Sequence, residues 1–211
     1  MPKLLPLFPL KMIVFPGEVV NLHIFEPRYQ QLIRECRDEH IHFGIPPFIN
    51  NKLMPLATEM ELLEISKVHA KGEMDISVQA LHQVKIHEYY PVAPDKLYPG
   101  GQCKQIPFDA LSDPFLDQEI QRLLESILSQ VPFRGKKPTG STAFRMEEYV
   151  HLVGMNVSKM YEMYEANKQT DRQQLFLEHL RQIMPQVRQM EEMRQKVQMN
   201  GHFKNVIPPK I

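Results

Sequence analysis

The sequence has 211 residues, of which 43% are hydrophobic and 24% charged, a mixture typical of soluble globular proteins with room for one sizeable domain or two small ones. Its 25 basic and 25 acidic residues cancel, which argues against a protein drawn to nucleic acid or to an anionic membrane by net charge. Cys36 and Cys103 form no C-x-x-C pair, so they predict reduced, buried thiols in a cytoplasmic protein rather than a zinc site or a redox motif.

The first part of the chain combines apolar side chains with interspersed prolines. The segment LPLFPLKMIVFPGEVVNLHIFEPRYQQLI, residues 4–32, has prolines at positions 6, 9, 16 and 27. Proline removes a backbone donor and interrupts every apolar run, which excludes a secretion signal. No window of the sequence reaches the roughly 20 apolar residues of a membrane-spanning helix. We therefore expect a cytoplasmic protein with no membrane partner.

Up to about residue 106 the apolar residues recur with a period of two. Residues 18–25 alternate, and residues 59–90 predict an antiparallel meander of three strands with a turn at Gly72. Pro27 fits the first position of an intervening helix, with Phe25 covering its first turn. The apolar face of that helix is Tyr29, Leu32, Ile33 and Cys36.

Beyond residue 110 the period changes to 3.6. Asp113 predicts an N-cap before Pro114, and the helix that follows has a broad apolar face that includes Phe115. Two short helices are predicted around 144–153 and 158–166. Thr170 predicts the cap of a further helix, which Pro185 ends or kinks, and a last helix follows that proline.

This change of period predicts the domain organisation. We expect an α+β fold with a β-rich N-terminal subdomain over residues 1–110, which contains one inserted helix. A helical bundle is predicted over 111–203 and a tail over 204–211. The boundary lies near 107–113, between Pro107 and Pro114.

The common catalytic motifs do not occur. In GKKPTGST, residues 135–142, two glycines have P-loop spacing, but Ser141 stands in place of the phosphate-binding lysine. There is no G-x-S-x-G, S-x-x-K or H-E-x-x-H, and the nine histidines are scattered, with His40 and His42 the closest pair. The sequence therefore predicts no catalytic, cofactor-binding or metal-binding residues and no cofactor.

The opening segment closely resembles the start of the substrate-binding (N-terminal) domain of bacterial Lon-type ATP-dependent proteases, also called protease La. That family has a P-L-F-P-L run, a P-G turn, an apolar strand and then F-E-P-R-Y before a helix. The matching positions, which we expect to be mainly structural, include Pro9, Pro16, Gly17, Phe25, Glu26, Pro27, Arg28 and Tyr29. The resemblance extends less strongly over nearly the whole chain.

The resemblance implies a PUA-like β-domain with a helical bundle and, without ATPase or peptidase modules, a stand-alone Lon-domain protein that is not an enzyme. It implies a binding module for exposed apolar or unfolded segments of other proteins. An adaptor for one fixed protein partner is the alternative. RNA binding through the PUA-like fold has less support, because fold analogy alone is a poor guide to function.

One loop is a candidate site for binding apolar segments of other proteins. The segment PPFINNKLMPLAT, residues 46–58, carries four apolar side chains among polar ones. If these side chains are exposed they form a patch suited to apolar peptides, and otherwise they fold back over the β-domain. The candidate residues are Phe48, Ile49, Leu53 and Met54.

Overall fold

The computed structural model describes residues 2–131, 135, 138 and 144–202. The strands in this part of the chain are β1 (Lys3–Pro6), β2 (Val19–Ile24), β3 (Phe43–Ile45), β4 (Phe48–Ile49), β5 (Lys52–Leu53), β6 (Leu56–Val68), β7 (Met74–Tyr90) and β8 (Gly100–Gln105). The helices are α1 (Pro27–Glu39), α2 (Pro114–Ser129), α3 (Glu147–Val150), α4 (Val157–Glu165) and α5 (Gln169–His202). None of these helices is both long enough and apolar enough to cross a lipid bilayer.

The chain folds as two compact units. The first, called the sheet unit below, is Met1–Asp109 with Gly154–Asn167, and the second, the helical unit, is Ala110–Val153 with Lys168–Ile211. The division differs from the predicted 1–110 and 111–203 because α4 belongs to the sheet unit. Two buried hydrogen bonds hold it there: Tyr164 Oη lies 2.7 Å from Thr58 Oγ1, and Gln83 Nε2 donates to Tyr164 O at 2.6 Å. The predicted tail, 204–211, lies outside the described residues.

The main sheet is antiparallel and has the strand order β1-β8-β7-β6-β3. β7 is the central strand, and its first half pairs with β2 while its second half pairs with β8. We predicted two strands within residues 74–90, but the structure has one. At the position where we expected a break, the pairing of β6 with β7 shifts by one residue. Glu59 pairs with His82, but the next residue, Met60, pairs with Ala80, so β7 contains one extra residue there. A bulge of this kind bends a strand without ending it.

The turn between β6 and β7 is the one that the sequence predicted. Gly72 has a φ of 81° and its N–H donates to His69 O at 2.9 Å, while His69 N–H donates to Glu73 O at 2.8 Å. This is a three-residue hairpin loop in which glycine takes the left-handed position. It fixes the register in which β6 faces β7.

The core of the sheet unit lies between the sheet and α1. Pro27 is the first residue of α1, and the predicted apolar face of the helix is buried. Phe25 is 62% exposed and does not cover the first turn of the helix, contrary to the prediction. The helix and the sheet share one cluster of buried residues, which includes Phe8, Tyr29, Leu32, Ile33, Cys36, Phe43, Met60, Ile76 and Val78.

In the helical unit, α2 and α5 pack against each other. The Asp113 carboxylate accepts from Phe115 N–H at 2.8 Å and caps α2 as predicted, although the Phe115 side chain is 82% exposed rather than on the buried face. Thr170 lies inside α5 and is not its cap. Pro185 also lies inside this helix, which continues to His202, so the predicted break at the proline is wrong.

Candidate functional site

A cleft of about 390 Å³ opens beside β1 in the sheet unit. Three segments bound it: β1 itself, the end of α1 with the residues that follow, and the connection between β7 and β8. His40 takes a left-handed conformation with a φ of 54°, which ends α1 and turns the chain toward β3. The lining residues are Lys3, Leu4, Leu5, Pro6, Glu35, Glu39, His40, Ile41, His42, Ala93, Pro94, Lys96 and Tyr98.

The cleft occupies the open part of a seam between β1 and β3. Further along this seam Phe8 N–H donates to Gly44 O at 2.8 Å, while Leu7 N–H donates the other way, to Pro99 O at 2.8 Å. Successive residues of a strand direct their backbone groups to opposite edges, so Leu4 directs its N–H and C=O to the same edge as Phe8. In the described residues a parallel bridge joins Leu7 to Gly44 of β3, and no ladder continues from it along this edge of β1. The seam is therefore closed from Leu7 onward and open before it.

One wall of the cleft is ordered by the Glu35 carboxylate. Lys96 Nζ donates to Glu35 Oε2 at 2.8 Å, and the Tyr98 hydroxyl donates to the same oxygen. Burial by itself raises the pKa of Glu35, but hydrogen bonds from Lys96, Tyr98 and Gln31 outweigh it and hold that pKa below its usual range. Burial, and then the neighbouring Glu35, raise the pKa of Tyr98. Tyr98 therefore stays neutral and acts as a donor.

The opposite wall rests on a buried carboxylate, that of Glu59 on β6, which is 1% exposed. Its Oε1 accepts from Lys3 Nζ at 2.6 Å and lies 2.8 Å from His42 Nδ1. His82 Nε2 lies 3.1 Å from Oε2, within ion-pair distance when the ring is protonated but not aligned for a hydrogen bond. Burial raises the pKa of Glu59, and the bonds from Lys3 and His42 more than offset that and lower it.

These contacts determine the chemistry that the cleft offers. Both of its lysines, Lys3 and Lys96, are paired with carboxylates. Leu4 is half exposed at the open edge. The cleft thus combines apolar surface with backbone hydrogen-bonding groups and little unpaired positive charge.

The loop predicted as a binding patch forms the β4–β5 hairpin. Ile49 is 8% exposed, and Phe48, Leu53 and Met54 are half-buried. Asn50 and Asn51, with φ angles of 50° and 61°, form its tip. Both central residues of such a two-residue turn have positive φ, which asparagine tolerates. The hairpin presents its asparagines, rather than its apolar side chains, to solvent.

The motif residues of the opening segment lie at both buried and exposed positions. The Tyr29 ring is buried with its centroid 3.9 Å from that of Phe8, and the Arg28 guanidinium lies 4.6 Å from the Tyr29 ring centre. Arg28 also pairs with Glu26 at 2.7 Å. Gly17 has a φ of 86° and donates to Ala80 O at 2.8 Å. Pro9 and Pro16 are half-buried in the extended chain before β2.

The structure also brings together three residues that the sequence prediction missed. His23, His69 and Asp75 lie at one end of the sheet, each offering one possible metal-ligand atom within 4.8 Å of the other two. His69 and Asp75 flank one hairpin loop, six positions apart, whereas His23 comes from a distant part of the chain. His23 reaches them only through the pairing of β2 with β7, so the spacing of His69 and Asp75 in the sequence does not by itself indicate the group of three.

An antiparallel sheet followed by C-terminal helices defines a protein of the α+β class. Residues 4–200 match the family of the ATP-dependent protease La (LON) substrate-binding domain, and the chain belongs to this family. The comparison with curated proteins returned no match.

Two solved structures share the fold. The Lon N-terminal domain protein from Xanthomonas campestris is 17% identical, with a TM-score of 0.62 over 83% of this chain and 97% of that one. The N-terminal domain of the Mycobacterium avium complex Lon protease is 15% identical, with a TM-score of 0.60 over 84% of this chain and 98% of that one. At these identities the likeness concerns the fold.

Proposed function

We propose that this protein is a non-catalytic binding module that takes up an extended, apolar segment of another polypeptide in the cleft beside β1. The observation that carries the proposal is the open part of the β1–β3 seam. An edge strand with unpaired backbone groups can accept a further strand, and main-chain hydrogen bonds then supply affinity for many sequences. Membership of the Lon substrate-binding family supports a protein as the ligand.

The lining of the cleft favours an apolar segment. Leu4, Ile41 and Pro94 offer apolar surface beside the strand edge. Because Lys3 and Lys96 are each paired with a carboxylate, a strongly acidic segment would have to displace those partners. The paired lysines also disfavour RNA as the ligand. Binding of single-stranded nucleic acid relies on a positively charged groove with stacking aromatic side chains. The sheet unit is, in this proposal, the PUA-like domain that the family resemblance implies.

The backbone edge can be tested by one substitution. Leu4→Pro removes the N–H that faces the cleft and leaves the ladder to β8 in place, because proline is tolerated where its nitrogen faces away from the paired neighbour. Leu4→Val is the matched control, since it keeps the N–H and an apolar side chain. The measurement is fluorescence anisotropy with labelled denatured β-casein and with unlabelled unfolded proteins as competitors. We expect Leu4→Pro to weaken binding at least about tenfold, the effect of losing about 1.4 kcal/mol.

Three outcomes would contradict the proposal. If Leu4→Pro binds casein as well as Leu4→Val does, the β1 edge is not the site. If Leu53→Ser weakens binding instead, the site is the β4–β5 hairpin, which carries the candidate patch named from the sequence. If the wild type binds no unfolded protein and a pull-down recovers one stoichiometric partner, the protein is an adaptor for a fixed partner.

A further inference from the structure

Two paired strands and the hairpin loop beside them place two histidines and an aspartate on one face of the sheet. His23 on β2 pairs directly with Asp75 on β7. His69 follows the last residue of β6, and its backbone N–H donates to Glu73 O across the hairpin. Residues that are directly opposite on paired strands share a face of the sheet. The three side chains therefore converge through backbone pairing rather than through flexible loops.

The distances are those of a small, well-defined group. His23 Nδ1 lies 2.6 Å from Asp75 Oδ1, and His69 Nε2 lies 2.7 Å from Asp75 Oδ2. The ring centroids of the two histidines are 5.5 Å apart at an angle of 78°, so the rings approach the carboxylate from different directions. Within the described part of the chain, this is the one group of three such side chains whose ligand atoms lie this close together.

We propose that His23, His69 and Asp75 form a binding site for a divalent transition-metal cation of the Zn²⁺ type. Two imidazole nitrogens and one carboxylate oxygen suit Zn²⁺, Ni²⁺ or Cu²⁺, whereas Mg²⁺ and Ca²⁺ prefer sites built from oxygen alone. A cation would replace the two hydrogen bonds to Asp75 with three coordination bonds. Three protein ligands leave one position of a tetrahedral ion for water or for a side chain of a partner.

A fourth residue is placed to support this arrangement. Glu73 Oε2 lies 3.8 Å from His23 Nε2, the ring nitrogen that does not contact Asp75. If Nδ1 coordinates the cation, the ring proton resides on Nε2 and faces this carboxylate. Histidine ligands commonly donate their second N–H to a carboxylate, which fixes the tautomer and the orientation of the ring. In the proposed site Glu73 therefore adds a nearby negative charge, at 3.8 Å, without a hydrogen bond to the ring.

Backbone hydrogen bonds hold the scaffold around the group, and the group itself is accessible. The hairpin loop is closed by two backbone hydrogen bonds, and its Gly72 is in the conformation that the loop requires. The side chains of His23, His69 and Asp75 are all partly exposed, so a hydrated ion can reach them. Lys67 stands opposite Asp75 on β6 and places one positive charge on the same face. It opposes the binding of a cation, and its removal should strengthen the site.

The test is titration of the tag-free protein with ZnCl₂, followed by isothermal calorimetry, and with CoCl₂, followed by visible absorbance. We expect one Zn²⁺ per chain for the wild type. His23→Gln and His69→Gln should each weaken binding by at least about tenfold, since loss of even an outer-shell partner of a ligand costs that much. Lys67→Gln should bind Zn²⁺ more tightly than the wild type does. His87→Gln, on the same strand as Asp75 but outside the group, is the matched control and should bind as the wild type does.

The substitutions are at partly exposed positions, and circular dichroism confirms that each variant is folded before titration. The proposal is overturned if the wild type binds no Zn²⁺, because Asp75 then serves only as a hydrogen-bond acceptor for the two rings. It is equally overturned if His87→Gln loses as much affinity as His23→Gln does, since binding is then distributed over surface histidines. The proposal does not rest on the peptide-binding proposal: Leu4→Pro should keep full Zn²⁺ affinity.

Discussion

Glu59 and Asp75, two carboxylates of the sheet unit, each contact two histidine rings, yet their surroundings differ. Glu59 is 1% exposed and has Lys3 as a third partner, whereas the side chain of Asp75 is 39% exposed and has no lysine among its hydrogen-bond partners in the described residues. A buried charge is costly unless it is paired, so the partners of Glu59 are part of what keeps the sheet unit folded. At the exposed site the same ring–carboxylate contacts are weak, because water competes for each group. Similar residues therefore act as a structural network in one place and as an open ligand set in the other.

The largest effect should come from removing the buried charge. We expect Glu59→Gln to lower the free energy of unfolding by about 2 kcal/mol, because hydrogen bonds to a charged group contribute about 1.5–3 kcal/mol. The half-exposed Lys3 can turn to water, which limits the loss. Urea unfolding followed by circular dichroism measures it. Glu61→Gln, at an exposed position of the same strand, should change the free energy by less than about 0.5 kcal/mol. Equal losses in the two variants would contradict a special role for Glu59.

The same network predicts a pH dependence of stability. The pKa of Glu59 is lower in the folded protein than in the unfolded chain, where a glutamate titrates near about 4.3. Its stabilising contribution is therefore present above the unfolded pKa and is lost as the pH falls through the folded pKa. The excess stability of the wild type over Glu59→Gln should be full at about pH 5 and smaller at about pH 3. An excess that stays constant, or grows, on acidification would show that Glu59 is not a stabilising anion.

The smallest effect on stability should come from the exposed carboxylate. Without metal, Asp75→Asn should leave the unfolding midpoint almost unchanged, because both of its ion pairs are open to solvent. With ZnCl₂ present, the melting temperature of the wild type should rise, since a ligand that binds only the folded state stabilises it, and that of Asp75→Asn should not. His42→Gln, in the buried network, should keep the rise. If ZnCl₂ no longer raises the melting temperature of His42→Gln but still raises that of Asp75→Asn, the buried network binds the cation and the exposed group does not.

Local features of the fold could be predicted from the sequence. Gly72 predicted the hairpin loop, Pro27 the start of α1 and Asp113 the cap of α2, and each was confirmed. These features depend on the backbone preferences of a few adjacent residues, which tertiary packing rarely overrides. Pro185 was misjudged because proline disfavours the helix interior without excluding it, and α5 continues through it.

The candidate sites could not be predicted in the same way. The apolar residues of the β4–β5 hairpin were visible in the sequence, but their burial depends on what packs over them. The cleft depends on Leu4, whose outer edge has no pairing strand because the chain at His40 turns before it reaches that position. The sequence around Leu4 and the sequence around His40 give no sign that the seam between these two segments is open. The family was recognisable from the opening segment because its prolines and glycine occur in a fixed order.

The sequence by itself determined most of the places where strands, turns and helices begin, and to which family the chain belongs, because periodicity and the constraints of proline and glycine act over a few residues. It did not determine that β7 and α5 are continuous. The tertiary structure decided which side chains meet. His23 and Asp75 are 52 positions apart and Thr58 and Tyr164 are 106 apart, so their contacts depend on strand register and on the packing of α4. Register is set by the balance of all the pairings in the sheet, and a shift of one residue turns every side chain of a strand to the other face. The metal-ligand group and the open seam both depend on that register.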